Sequence, residues 1–185
     1  MSTTRTRAAV VLAAAAAVVT GGVLPASAAP GCSTVWGSLP ESVSDDGGGT
    51  LDGVRAGRHT CYDRLVLDLD GIDASAVSYD VRYVSQVVRD GSGIPVPLRG
   101  AADLQLIVHT PAYDDRGAAT YDPADDAEAV DVTGYDTFRQ VAWAGSFEGS
   151  STVGLGVRAR LPFRVLVLDG PGDGSRLVVD VARTW

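Results

Sequence analysis

From Leu51 onward the chain is a succession of short apolar runs, each closed by Gly, Asp or Pro, and no stretch sustains a helical period. That spacing predicts an all-β chain, an antiparallel sandwich or barrel, with a β-sandwich of two small sheets as the expected form. Two runs share one pattern: Tyr62-Asp-Arg-Leu-Val-Leu-Asp-Leu-Asp-Gly71, and Phe163-Arg-Val-Leu-Val-Leu-Asp-Gly170 continuing into Arg176-Leu-Val-Val-Asp-Val181. Each puts Arg at the mouth of an apolar run and Asp near its end, as a core strand with a charged lip would. In the first, Leu65, Leu67 and Leu69 share one face, and Arg64, Val66 and Asp68 share the other. Tyr79 to Val88 and Ile94 to Leu98 flank Asp90-Gly-Ser-Gly93 as a hairpin. Pro95 and Pro97, two apart, blunt one edge of that arm against further pairing.

Upstream of this region, Arg5 and Arg7 precede an apolar run from Ala8 to Val19, and Ala26-Ser-Ala28 supplies small residues for cleavage. This is the form of a signal peptide over residues 1–28. The apolar run is shorter than the roughly 20 residues that cross a bilayer, so no membrane span is expected after cleavage. Residues 29–50 then read as a polar arm with Val35, Trp36 and Leu39 as its anchors, and residues 51–185 as the sandwich. Cys32 and Cys61 are the two cysteines. Both lie past the cleavage site, in a compartment where a disulfide persists, and pairing them would pin the arm to the domain. The alternative, lipidation of Cys32, fits poorly with the Pro-Gly before it and would leave Cys61 unpaired.

The formal charge is −8, and all 15 basic residues are Arg. Loss of Arg5 and Arg7 with the leader leaves 13 Arg against 23 acidic residues, a net of −10, which argues against nucleic-acid binding. The charge is uneven. Residues 30–136 hold seven Arg and nineteen acidic residues, whereas residues 137–185 hold six Arg and four. Thr110 to Asp136 alone carries eight acidic residues without apolar periodicity, and is expected to be a long solvated or disordered loop.

Catalytic patterns are sparse. His59 and His109 are the only candidate neutral-pH bases, and no Ser occupies a Gly-x-Ser-x-Gly elbow. His59 beside Asp63 could imitate an oriented base, but Asp63 is better placed to pair with an Arg or to cap a strand. Two separated His do not make a zinc site. Asp122, Asp125, Asp126 and Glu128 offer calcium-type oxygen ligands at a spacing that matches no calcium loop. No metal, cofactor or enzymatic activity is therefore expected. Arg158, Arg160 and Arg164, with Trp143 and Phe147 near them in sequence, are the candidate ligand-binding residues. The guanidinium groups could hold carboxylates or phosphates, and the aromatic rings could face sugars. Internal pairing with Asp63, Asp68, Asp169 or Asp180 is the competing role for the arginines.

Several segments together resemble a known family: Val35-Trp-Gly-Ser-Leu39, Val54-Arg-Ala-Gly-Arg-His59, Cys61-Tyr-Asp-Arg64, Tyr79-Asp-Val-Arg-Tyr83, Leu155-Gly-Val-Arg-Ala-Arg-Leu-Pro-Phe-Arg164 and Arg176-Leu-Val-Val-Asp180. As a set they are similar to the AMIN-like domain of secreted bacterial proteins, related in architecture to the domain that precedes cell-wall amidase catalytic domains. The resemblance covers the chain from about Trp36 onward. It implies a secreted or wall-associated, non-catalytic domain that binds or localises to wall polymers such as peptidoglycan. A protein-interaction module of the envelope is the alternative, and a hydrolase a third reading. Two departures are expected: a stand-alone domain without an amidase or other partner domain after it, and an acidic loop longer than the family leads one to expect.

Overall fold

The structure is a computed structural model that describes residues 31–32 and 34–185; the expected signal peptide lies outside the described residues. Among the described residues eleven strands are present: β1 (Glu41–Val43), β2 (Thr50–Arg58), β3 (Tyr62–Asp70), β4 (Tyr79–Val84), β5 (Val87–Val88), β6 (Pro95–Val96), β7 (Ala102–Val108), β8 (Phe138–Phe147), β9 (Ser150–Val157), β10 (Phe163–Asp169) and β11 (Ser175–Ala182). They form an antiparallel β-sandwich. One sheet runs β1-β4-β7-β9-β8 and the other β10-β11-β3-β2, with β5 and β6 as a separate two-stranded ribbon. The fold class is as the strand spacing predicts.

Alternation along each strand builds the core. Leu65, Leu67 and Leu69 of β3 lie beside Val179, Leu177 and Ser175 of β11 in register. Of these, Leu65, Leu67, Leu69, Leu177 and Val179 join one cluster with Leu104, Leu106 and Val108 of β7 and Val153, Leu155 and Val157 of β9. The two Arg-led runs of the sequence are thus neighbours: β11, the continuation of the second run, lies between β10 and β3 and is antiparallel to both.

The outer face of the five-stranded sheet is covered by the ribbon, where Val87 and Val96 pack on Ala142 and Ala144 with Val84 and Leu98 beside them. The proline-bearing hairpin forms as expected, but it lies on a sheet face instead of extending a sheet edge. Gly154 and Gly156 allow this. A Cβ at Gly156 would overlap the main-chain carbonyl of Arg99, and one at Gly154 would press on Leu98 and Val87. Gly156→Ala is therefore expected to lift the segment Leu98–Arg99 and destabilise the domain by about 1–3 kcal/mol, read as a lower denaturation midpoint with an unchanged slope.

The acidic segment is not a solvated loop. Ala112 and Val132 are buried, Tyr121 meets Trp143 edge-on at 5.1 Å, and Ala129 N–H donates to Val141 O at 2.9 Å. Leu51 N–H donates to Pro111 O at 2.8 Å, and the Thr120 hydroxyl donates to Leu51 O at 2.8 Å. The segment therefore closes the side of the sandwich between β8 and β2, satisfying edge groups that would otherwise be open. Burial, with Asp126 nearby, pushes the Tyr121 hydroxyl up to about 12. The acidic residues sit outward and meet arginines: Asp126 pairs with Arg89, and Glu128 with Arg99.

The arm is equally engaged. Phe163 N–H donates to Gly37 O at 2.8 Å, and Glu41–Val43 adds an edge strand to β4. The Glu41 carboxylate accepts Val165 N–H at 3.1 Å, standing in for a strand partner, and partial burial pushes its pKa up. Of the three expected anchors only Trp36 packs; Val35 and Leu39 are exposed.

Candidate functional site

The outer face of the four-stranded sheet carries no ribbon among the described residues, and its side chains form three rows. Strand register aligns Arg164, Asp180, Arg64 and Gly57 across the sheet, then Leu166, Val178, Val66 and Arg55, then Leu168, Arg176, Asp68 and Gly53. Polar rows thus flank an apolar one. Val66 and Val178 are buried within this layer, while Leu168 is exposed.

The first row centres on a buried carboxylate. Asp180 is fully buried and takes two arginines at once. Arg64 donates from Nε to Oδ1 at 2.6 Å and from Nη2 to Oδ2 at 2.8 Å; Arg164 donates from Nε to Oδ2 at 2.9 Å. The hydrogen bonds that Arg64 donates to the Asp180 carboxylate raise the Arg64 pKa further above its already high value. Two guanidinium groups share one carboxylate, so the row keeps a net positive charge.

Aromatic rings enclose these cations. The Arg164 guanidinium lies 4.3 Å from the Trp36 centroid and 5.7 Å from that of Tyr62; Arg64 lies 5.3 Å from Tyr62. Trp36 meets Tyr62 edge-on at 5.7 Å, and His59 stacks on Tyr62 at 4.4 Å. Such cation-aromatic contacts each contribute about 0.5–2 kcal/mol. The Cys32–Cys61 disulfide is formed as expected, and it ties the arm bearing Trp36 to the turn bearing His59 and Tyr62.

The five candidate binding residues do not converge. Arg164 is in the platform. Arg160 lies next to it, donating to the Ser38 carbonyl at 2.8 Å and to the Ser38 hydroxyl at 3.2 Å, with its guanidinium 5.0 Å from the Tyr83 centroid. Arg158 donates to the main-chain carbonyls of Asp136 and Arg183. Neither Arg158 nor Arg160 has a carboxylate partner among the described residues, so both add to the positive charge at this end. Trp143 is buried against Tyr121 and presents no open ring face to a sugar. Phe147 is exposed at the far end of β8, whose first residues lie against Asp63 near the platform.

Trp36, His59, Tyr62, Arg64 and Asp180 complete the platform. Their sequence signal was the Arg at the opening of β3 and the Asp near the end of β11, whose meaning depended on which strands would be neighbours. Asp68, another possible partner of the candidate arginines, pairs instead with Arg55. Asp63 does cap a strand: its Oδ2 accepts Thr137 N–H at 2.6 Å and Phe138 N–H at 3.3 Å as β8 begins. His109 Nδ1 lies 3.1 Å from the Ser150 hydroxyl on an exposed turn. Among the described residues no three His, Cys, Asp or Glu side chains are grouped to hold a metal, and no helix is long and apolar enough to cross a membrane.

A sequence model of the AMIN-like domain matches residues 49–183, most of the chain and every strand from β2 to β11. The chain belongs to the AMIN-like family. No curated protein and no solved structure matches it. Within this AMIN-like domain the platform is composite. Tyr62, Arg64, Arg164 and Asp180 lie inside the matched region, whereas Trp36 and Cys32 come from the arm before it.

Proposed function

We propose that this AMIN-like protein is a secreted, non-catalytic envelope module that holds a cell-wall polymer such as peptidoglycan on the platform of Arg64, Arg164, Trp36 and Tyr62. Family membership and the disulfide suggest an extracellular envelope domain. The observation that carries the finer reading is the surplus of guanidinium over carboxylate in the first row, set among aromatic rings on an otherwise acidic chain. Guanidinium forks match peptide carboxylates and phosphates, and rings at the rim suit sugar faces.

The test is co-sedimentation with purified wall sacculi. Wild type is expected in the pellet. Raising salt from about 0.1 M to about 1 M, which shortens the screening length from about 10 Å to about 3 Å, should release it. Arg164→Ala and Trp36→Ala should each lower the bound fraction several-fold while Arg55→Ala does not. Sedimentation no greater than that of an acidic control protein would remove the wall-binding reading.

A second reading rests on Ile94 and Phe147. Both are exposed, and they stand at tips brought together where Gly91 faces the Phe147 ring. That pair suits docking to another envelope protein, and crosslinking on intact cells would then give a discrete adduct that Phe147→Ser removes.

A further inference from the structure

A second polar site lies beside the platform, on the other sheet. An open groove of about 440 Å³ runs between the end of β4 and the start of β7, lined by Tyr83, Val84, Ser85, Ala102, Asp103 and Arg160 among others. This falls in the size range of small-ligand sites. We infer that this groove is a saccharide subsite, in which Asp103 and Arg160 bind adjacent hydroxyls of a neutral pyranose and Trp185 offers its ring to the sugar face.

Asp103 is the first reason. Its neighbours across the sheet are Val84 on β4 and Gly156 on β9, neither able to donate from its side chain. The carboxylate is half-buried and has no hydrogen-bond partner among the described residues, and burial pushes its pKa up. Its oxygens open to the groove, where a ligand or water supplies the missing donors.

Arg160 supplies the opposite character. Of the five N–H donors of a guanidinium, it uses one at Nε and one at Nη2 on Ser38, which leaves three for the groove. Its place is fixed by the Tyr83 ring below it, and Tyr83 is itself fixed: the hydroxyl donates to Leu161 O at 2.9 Å and accepts Leu161 N–H at 3.0 Å. The groove wall is therefore assembled before any ligand arrives, which lowers the ordering cost of binding.

Trp185 is the third element. It is 69% exposed, and its indole N–H donates to the Arg160 carbonyl at 3.2 Å, which tethers an open apolar ring to a residue that lines the groove. A carboxylate that only accepts and a guanidinium that only donates disfavour a simple ion: Asp103 repels anions and Arg160 repels cations. What suits both is a neutral ligand whose adjacent hydroxyls donate to one and accept from the other above an apolar ring face. That combination describes a pyranose.

The test is an NMR titration of the protein with two neutral probes, cellotetraose and the β-1,4-linked N-acetylglucosamine tetramer. At least one is expected to shift the Trp185 indole N–H and the Ser85 and Asp103 amides saturably, with a Kd near 1 mM, typical of a single shallow site worth about 4 kcal/mol. Asp103→Asn should weaken binding about tenfold, the usual loss for a hydrogen bond to a charged group. Trp185→Ala, an exposed change with little bearing on folding, should weaken it also. Arg164→Ala should leave it unchanged, which keeps this outcome separate from that of the wall-binding platform. The inference is overturned if neither tetramer moves these resonances at about 10 mM, or if Asp103→Asn and Trp185→Ala bind as wild type. It is equally overturned if spermidine or phosphate, used as ionic probes, occupies the groove in preference to both sugars.

Discussion

Asp180→Ala is expected to lower the unfolding free energy by about 3 kcal/mol, the low end of what removing one partner of a buried ion pair costs. The low end applies because the arginine partners are not fully buried: their side chains are 24% and 35% exposed, so each can recover part of its hydration once the carboxylate has gone. The loss still exceeds that of an ordinary surface pair, which contributes at most about 1 kcal/mol. Asp180 itself is fully buried, and its absence leaves Arg64 and Arg164 facing each other across β11 with no counter-charge. Denaturant titrations at neutral pH should show the midpoint falling. Arg164→Ala should cost much less, because Asp180 keeps its two bonds to Arg64. Added salt should restore part of the Asp180→Ala loss by screening the two guanidinium groups. A loss under about 1 kcal/mol would mean that the row is a surface feature and not a fixed platform.

This ion-pair row also marks where sequence reasoning reached its limit. That Arg64 and Arg164 open core strands, and that Leu65, Leu67 and Leu69 face inward, is legible because alternation is local. Which acid serves which arginine is not. Asp180 meets both only because β11 lies between β3 and β10, a matter of strand order. Trp143 shows a different limit. β8 changes register between Phe138 and Gln140 and again between Trp143 and Gly145, and these irregularities interrupt simple alternation along the strand. Trp143 belongs to the main core cluster while its neighbours Ala142 and Ala144 pack under the ribbon. Sequence proximity to Arg158 therefore said nothing about shared exposure.

The acidic segment failed for a third reason. Its contributions to the core, Ala112, Tyr121, Ala129 and Val132, follow no period because the backbone there is irregular, while its charges dominate any compositional measure. The hairpin was legible as a hairpin, and its seat was not. Gly154 and Gly156 read as weak points in a strand until the Arg99 carbonyl is found against one of them. In each case the missing information was a long-range contact between residues whose local pattern was ordinary.

The disulfide extends the same argument to the arm. Replacing Cys32 and Cys61 together with Ser is expected to cost about 3–4 kcal/mol, the chain-entropy figure for a closed loop of this length; the two cysteines are 29 residues apart. Part of that loss should be local. Without the link the arm is held by the Gly37 bridge to Phe163, the short pairing of β1 with β4, the Glu41 bond to Val165, and side-chain bonds such as Arg160 to Ser38 and Thr184 to the Cys32 carbonyl. Trp36 sits between the disulfide and the contacts of Gly37, Ser38 and β1, so its stacking on Arg164 should loosen at denaturant concentrations that leave the buried Trp143 unchanged. Tryptophan fluorescence should then show two steps in the double variant, or in wild type under reductant, against one in the oxidised protein. Hydrogen exchange should place the early step in residues 34–43. A single cooperative step at an unchanged midpoint would show that the arm is held by its strand pairing alone. In that case the cysteines would contribute nothing to assembling the platform.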